Sequence, residues 1–153
     1  NVYVPNGQAV GTEKFLYKLE WLNHLKIMLD NDLKEYPKMV VLGDFNIAPS
    51  DEDIHDPDEW KDKILCSDQE RSALEEILSL GFHDSFRLFE KGSGFHSWWD
   101  YRAAAYRRGL GLRIDLLLAS DELKSACKKG YIDEKPRGLE KPSDHTPVVI
   151  EIS

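Results

Sequence analysis

The chain has 153 residues, 41% of them apolar and 31% charged, which suits a folded domain with a real core and excludes a disordered chain. Its 20 Lys and Arg against 28 Asp and Glu give a formal net charge of −8, which argues against a general nucleic-acid coat but leaves room for a local basic patch or an acidic metal site. No apolar run approaches the roughly 18 residues of a membrane span, and Cys66 and Cys127 make neither a disulfide framework nor a zinc set, so a reducing, cytoplasmic setting is expected.

Residues 1–7 read as the end of a strand running into a turn. Val2 and Tyr3 suit a pleated surface, and Pro5 with Asn6-Gly7 stops it. A strand with no partner ahead of it predicts further sequence upstream of Asn1. Phe15, Leu19, Leu22, Leu25, Leu29 and Leu33 recur at three- and four-residue steps and predict a helix that ends before Pro37. Met39-Val40-Val41-Leu42 predicts a short buried strand ending at Gly43. Residues 49–68 are polar and read as a long loop. Its acidic cluster, from Asp51-Glu52-Asp53 to Glu59, lacks the Gly and Glu of a calcium loop and reads as solvated.

Ser67-Asp68-Gln69-Glu70 has the form of a capping box and opens a helix with Leu74, Ile77 and Leu78 that stops at Gly81. Residues 88–97 read as loop, residues 114–118 as a second buried strand, and Ser120 as the cap of a short helix toward Cys127. Residues 146–152 form a last strand with Val148, Ile150 and Ile152 on one face. His24, His55 and His83 have no partner in sequence and read as surface or structural, and both cysteines read as small core residues. Helices alternating with short apolar strands indicate an α/β (α+β) fold.

Three polar groups stand at the ends of apolar strands: Gly43-Asp44-Phe45-Asn46, Arg113-Ile114-Asp115 and Ser143-Asp144-His145. One Asp at a strand end is an ordinary turn former. Three such places, with Asp115 inside a strand, point to one shared site, because desolvating a carboxylate is costly unless it is paired or holds a metal. Carboxylates and an amide oxygen suit magnesium or manganese rather than zinc. A His held by an Asp has a fixed tautomer and a raised pKa, suited to meeting a phosphate oxygen, and an Asp can position water for in-line attack. Such a set suits phosphodiester hydrolysis. The run Phe95-His96-Ser97-Trp98-Trp99-Asp100-Tyr101-Arg102, leading to Tyr106-Arg107-Arg108 and Arg113, interleaves aromatics with arginine as a nucleic-acid grip does. A tryptophan core with solvated arginines is the competing reading.

Taken in order, Tyr3-Val4-Pro5-Asn6-Gly7, Gly43-Asp44-Phe45-Asn46-Ile47-Ala48-Pro49, Ser97-Trp98-Trp99-Asp100-Tyr101-Arg102, Leu112-Arg113-Ile114-Asp115 and Lys141-Pro142-Ser143-Asp144-His145 resemble the exonuclease III family of abasic-site endonucleases, in the endonuclease/exonuclease/phosphatase superfamily. The resemblance implies part of a four-layer α/β sandwich, two mixed sheets face to face and flanked by helices, with residues 1–153 as the C-terminal portion of one domain whose first strands and metal-ligand Glu have no counterpart here. It also implies roles. Asp44 orients or deprotonates the attacking water, Asn46 bonds the water or phosphate, Tyr3 places its phenol at the scissile phosphate, and His145, oriented by Asp115, stabilises the phosphate oxyanion. Asp144, with Asp44 and Asn46, lies at a Mg2+ or Mn2+ ion.

Asn6 contacts phosphate, Arg102 belongs to the DNA-binding run, and Trp98, Leu112 and Ile114 line a pocket that admits an abasic sugar and excludes a base by shape. The implied protein is a DNA repair nuclease, monomeric when intact, that cleaves 5′ to abasic sites in duplex DNA and degrades it from 3′ ends. The rivals are a phosphoesterase acting on a non-DNA ester, and an inactive piece that only binds nucleic acid or a partner chain.

Overall fold

Thr12 starts the longest element: its hydroxyl accepts the Phe15 N–H at 3.2 Å and so satisfies a first-turn donor of helix α1 (Glu13–Glu35). The helix ends at Tyr36, ahead of Pro37, as the sequence predicts. The computed structural model describes residues 1–153. Along α1, Phe15, Leu22, Leu25 and Leu29 are buried, and so is Lys18, which sits on the apolar stripe itself. The Ser67 capping box closes in both directions on Glu70 and opens α3 (Asp68–Leu78).

Both helices pack on one face of a mixed four-stranded sheet. Its strands are β1 (Val2–Tyr3), β2 (Val40–Asp44), β3 (Phe82–Asp84) and β4 (Asp115–Ser120), in spatial order β1-β2-β4-β3. The β1–β2 pair is parallel and the other two pairs are antiparallel. The main core joins Leu22, Leu25 and Leu29 of α1 and Leu74 and Ile77 of α3 to Val41, Leu116 and Leu118 of the sheet. Because side chains alternate along a strand, Val41 is buried against the helices while Leu42 points the other way and is 38% exposed, so β2 is not buried along its whole length. Strands β5 (Cys127–Ile132) and β6 (Val148–Ile152) form a second, antiparallel sheet, and β6 lies against β4.

Two local expectations change. Residues 49–68 are not one loop: a 3₁₀ turn over Asp51–Asp53 and a short helix α2 (Pro57–Trp60) break them up. Ile54, Leu65 and Cys66 from that stretch join Ala48, Leu112 and Ile114 in a second core. Ser120 stands at the N-cap of α5 (Asp121–Lys124), but its hydroxyl turns away to donate to Pro37 O at 2.7 Å and accept from Met39 N at 3.0 Å. It ties β2 to β4 instead of capping. Between β3 and β4 the chain forms only short turns and the four-residue helix α4 (Ala105–Arg108). No helix is long and apolar enough to cross a membrane.

Candidate active site

Strand register builds the site. Tyr3 is the parallel partner of Asp44, and Asp44 is the antiparallel partner of Asp115, so one row across β1, β2 and β4 carries a phenol and two carboxylates. Directly paired residues send side chains to the same face of a sheet, which is why residues 41 and 71 positions apart converge at one end.

Just past β2 the chain turns on Asn46, whose φ of +51° is a left-handed value that Asn tolerates. The turn folds Asn46 back on Asp44. Asp44 Oδ1 accepts the Asn46 N–H at 2.8 Å, and Oδ2 accepts the Asn46 side-chain amide at 3.1 Å. That amide also donates to Val4 O at 2.9 Å, and Asn46 Oδ1 accepts from Asn6 Nδ2 at 3.1 Å. From beneath, the buried ammonium of Lys18 donates to Asn46 O at 2.6 Å, Asn6 O at 3.2 Å and Glu70 Oε1 at 2.5 Å.

His145 faces this group from the loop before β6. Its Nδ1 lies 2.8 Å from Asp115 Oδ2 and its Nε2 4.0 Å from Asp44 Oδ2. Asp115 is itself held by Ser97, whose hydroxyl donates to Oδ2 at 2.7 Å and accepts the N–H groups of Ile114 and Asp115. Burial pulls the His145 pKa down, but the hydrogen bond to Asp115 and the charges of Asp115, Asp44 and Asp144 outweigh it and leave it raised. Burial pushes Asp44 up to about 6; the neighbouring Asp115 charge adds to that, and the Asn46 N–H, His145 and Lys18 limit it. A carboxylate titrating this close to neutrality is suited to proton transfer.

Tyr3, Asn6, Asp44, Asn46, Trp98, Arg102, Ile114, Asp144 and His145 line a single cleft of about 410 Å³. Asp115 stands behind His145. Arg102 sits at the mouth, its side chain 88% exposed and bound to Asp100 at 2.6 Å. Leu112 does not belong to the lining. It is wholly buried, its backbone bridged to that of Trp98, so it supports the tryptophan from below. Arg113 leaves the basic patch for the same reason of burial. Its guanidinium is 0% exposed, 2.7 Å from both Asp53 and Asp84, and stacked over Phe86. Asp53 is therefore a buried counter-ion rather than part of a solvated acidic loop. The two tryptophans divide: Trp99 is core, while Trp98 opens on the cleft.

His55 and His83 also have partners, Gly111 O at 3.1 Å and Asp121 at 2.5 Å. Asp100, Trp60, Ile64, Leu65 and Gln8 complete the cleft, and the last four escape sequence reasoning; the signal for Trp60, Ile64 and Leu65 is apolar side chains inside an otherwise polar stretch.

The metal set expected at Asp144, Asp44 and Asn46 does not close. No three His, Cys, Asp or Glu side chains form a group that could hold a metal ion. Both Asp44 oxygens are engaged by Asn46, Asn46 Oδ1 by Asn6, and Asp144 Oδ2 by the Trp98 indole N–H at 3.0 Å. Magnesium keeps several waters and takes one or two carboxylates, so Asp44 and Asp144 would supply part of its near-octahedral oxygen shell.

Residues 10–145 match the Endonuclease/Exonuclease/phosphatase family. The chain is 36% identical over 154 residues to an exodeoxyribonuclease of Bacillus subtilis, covering 99% of this chain and 58% of the relative. It is 35% identical over 159 residues to exodeoxyribonuclease III of Haemophilus influenzae, covering 99% of this chain and 60% of the relative. Among solved structures, the 3′ phosphatase NExo from Neisseria, bound to a product DNA hairpin, superposes with a TM-score of 0.97 at 44% identity over 100% of this chain and 60% of that one. An AP endonuclease from Archaeoglobus fulgidus gives a TM-score of 0.94 at 40% identity over 99% and 60%. The chain thus spans about 60% of the length of these relatives.

Proposed function

The chain belongs to the endonuclease/exonuclease/phosphatase family, and from that premise we propose that the protein it represents is a DNA repair nuclease that hydrolyses phosphodiesters. It incises 5′ to abasic sites and degrades duplex DNA from 3′ ends, in base excision repair, as a cytoplasmic monomer. The observation that carries this reading is the row Tyr3–Asp44–Asp115 closed by His145, with Tyr3, Asp44 and His145 opening on one cleft and Asp115 holding His145 from behind. The names of the exodeoxyribonuclease and AP endonuclease relatives, and the DNA bound to one of them, support the substrate.

In this reaction the phosphate sits in the cleft over Asp44 and His145. Asp44, with Asn46, orients a water and takes its proton as the water oxygen attacks phosphorus. The P–O3′ bond opposite breaks, and the departing 3′ oxygen takes a proton from solvent. Protonated His145, held by Asp115, donates from Nε2 to a non-bridging oxygen where negative charge grows. Tyr3 and Asn6 contact the same phosphate. Trp98 and Ile114 shape the sugar pocket, backed by Leu112, and Arg102 at the mouth meets the strand. Mg2+ or Mn2+ is the cofactor of this reading, supported by the divalent-metal dependence general to exonuclease III enzymes. Its ligands are not complete in these residues, and no step above passes through it.

The test is incision of a duplex carrying one abasic-site analogue by the chain with its upstream strands restored, with magnesium or manganese, read on a gel, with EDTA as control. Asp44→Asn and His145→Ala should each cut the rate by about 10²-fold or more. Undiminished incision by both variants would overturn the assignment. A 3′-phosphate on the same DNA is the second reading, favoured by the 3′ phosphatase among the similar structures. A panel of abasic, 3′-phosphoryl and inositol-phosphate substrates separates the two and tests the non-DNA ester as well.

A further inference from the structure

Arg137 is a buried cation without a counter-ion. It is 6% exposed, and its guanidinium carbon lies 4.8 Å from the ring centre of Tyr106, 5.8 Å from Trp99 and 5.9 Å from Tyr101. The other two cations buried this deeply each rest on carboxylate: Lys18 on Glu70, and Arg113 on Asp53 and Asp84. Arg137 has none. Its Nη1 donates to Ser143 O, and Nε is buried with no partner. Nε and Nη2 form the edge with which a guanidinium meets two oxygens side-on, and here that edge is free. Aromatic faces attract the cation but leave its N–H groups unsatisfied.

Arg137 lines a cavity of about 430 Å³ together with Arg107, Tyr101, Tyr106, Leu139 and Pro142. Asp100 also borders it, but Arg102 neutralises that carboxylate. Tyr101 and Leu139, 63% and 68% exposed, form an open, largely apolar rim. The cavity adjoins the loop that carries His145: Tyr101 Oη donates to Pro142 O at 2.9 Å, and Arg137 holds the next carbonyl.

We propose that this cavity is a second oxyanion site, sharing only the Asp100 wall with the cleft, that takes a phosphate group on the free edge of Arg137 with Arg107 beside it. Tyr101 at the rim offers a face for a nucleoside attached to that phosphate. The phosphate comes either from a nucleic-acid backbone or from free solution. The assignment stands on Arg137 and its surroundings and holds whatever ester the cleft hydrolyses.

Calorimetric titration of the chain in EDTA, with inorganic phosphate in one arm and a 5′-phosphorylated dinucleotide in the other, tests it. Binding should weaken about tenfold or more in Arg137→Met and persist in His145→Ala. Tighter binding of the dinucleotide than of phosphate, lost in Tyr101→Ala, identifies a backbone source; equal binding identifies the free anion. If Arg137→Met does not fold by circular dichroism, Arg107→Ser serves instead and should weaken both ligands several-fold. No binding of either ligand, or binding that survives these variants and vanishes in His145→Ala, would overturn the proposal.

Discussion

Lys18 Nζ donates to the Asn46 carbonyl at 2.6 Å, joining a residue of α1 to the turn beyond β2. The same ammonium reaches Asn6 O and Glu70 Oε1, and Glu70 in turn accepts from Leu65 N, Ser67 N and Ser67 Oγ. One buried ion pair therefore anchors the backbone under Asn6, Asn46 and Leu65, three residues of the cleft. Burial lowers the Lys18 pKa, and the Glu70 carboxylate is the main force that opposes it.

Replacing Lys18 by Met leaves Glu70 charged and unpaired where its side chain is 0% exposed. The expected loss is about 3–5 kcal/mol in urea unfolding, because breaking one side of a buried pair strands the other. Lys18→Met with Glu70→Gln should recover part of it, since the stranded charge is then gone. A single variant that loses less than about 1 kcal/mol would show that the pair carries no such weight.

Gly43 has a φ of +138°, and a Cβ there would stand 1.9 Å from Val2 O. Gly43→Ala must push β1 off β2, since the obstruction is backbone and not a flexible side chain. The expected cost is about 2 kcal/mol or more, with faster amide exchange at Val4, whose N–H donates to Asp44 O at 2.9 Å. Unchanged protection at Val4 would mean that the strand absorbs the methyl group.

Asp115→Asn removes the partner that most raises the His145 pKa and leaves burial opposed only by the charges of Asp44 and Asp144. In an NMR titration His145 should titrate lower than in the parent. The linked stability follows in sign. In the parent the contribution of His145 is fully present below about 6.5 and is lost as pH rises through the higher folded pKa. The variant weakens that dependence, and a His145 titration unchanged from the parent would separate it from Asp115.

His96 behaves in the opposite sense. It is 7% exposed, Nε2 has no partner, and burial lowers its pKa to about 4. The unfolded chain takes up a proton below 6.5 that the folded chain refuses, so stability falls as pH drops from 6.5 toward 4. The loss is on the order of 3 kcal/mol. Urea midpoints across that range should decline less in His96→Phe than in the parent, and equal declines would assign the acid sensitivity elsewhere.

The local devices were legible in the sequence. The spacing from Phe15 to Leu33 with Pro37 behind it, and the Ser67–Glu70 box, are set by neighbours within a turn or two, so one-dimensional spacing reports them. The polar groups at the ends of the apolar strands were legible too, because Asp44, Asp115 and Asp144-His145 interrupt apolar runs, and strand register then brings them to one end of the sheet.

What tertiary structure alone decided is the fate of each charge and each large ring. Lys18 and Arg113 look like surface cations, yet both are buried, because carboxylates 52, 60 and 29 residues away meet them and offset the cost of leaving water. Leu112 lies under Trp98 instead of beside it, Trp60 enters the cleft from a polar stretch, and Asp44, Asn46 and Asp144, expected at a metal, also accept hydrogen bonds from Asn46, Asn6 and Trp98 in turn. Whether a polar atom is free depends on partners far along the chain, and that is settled only when the strands take their register.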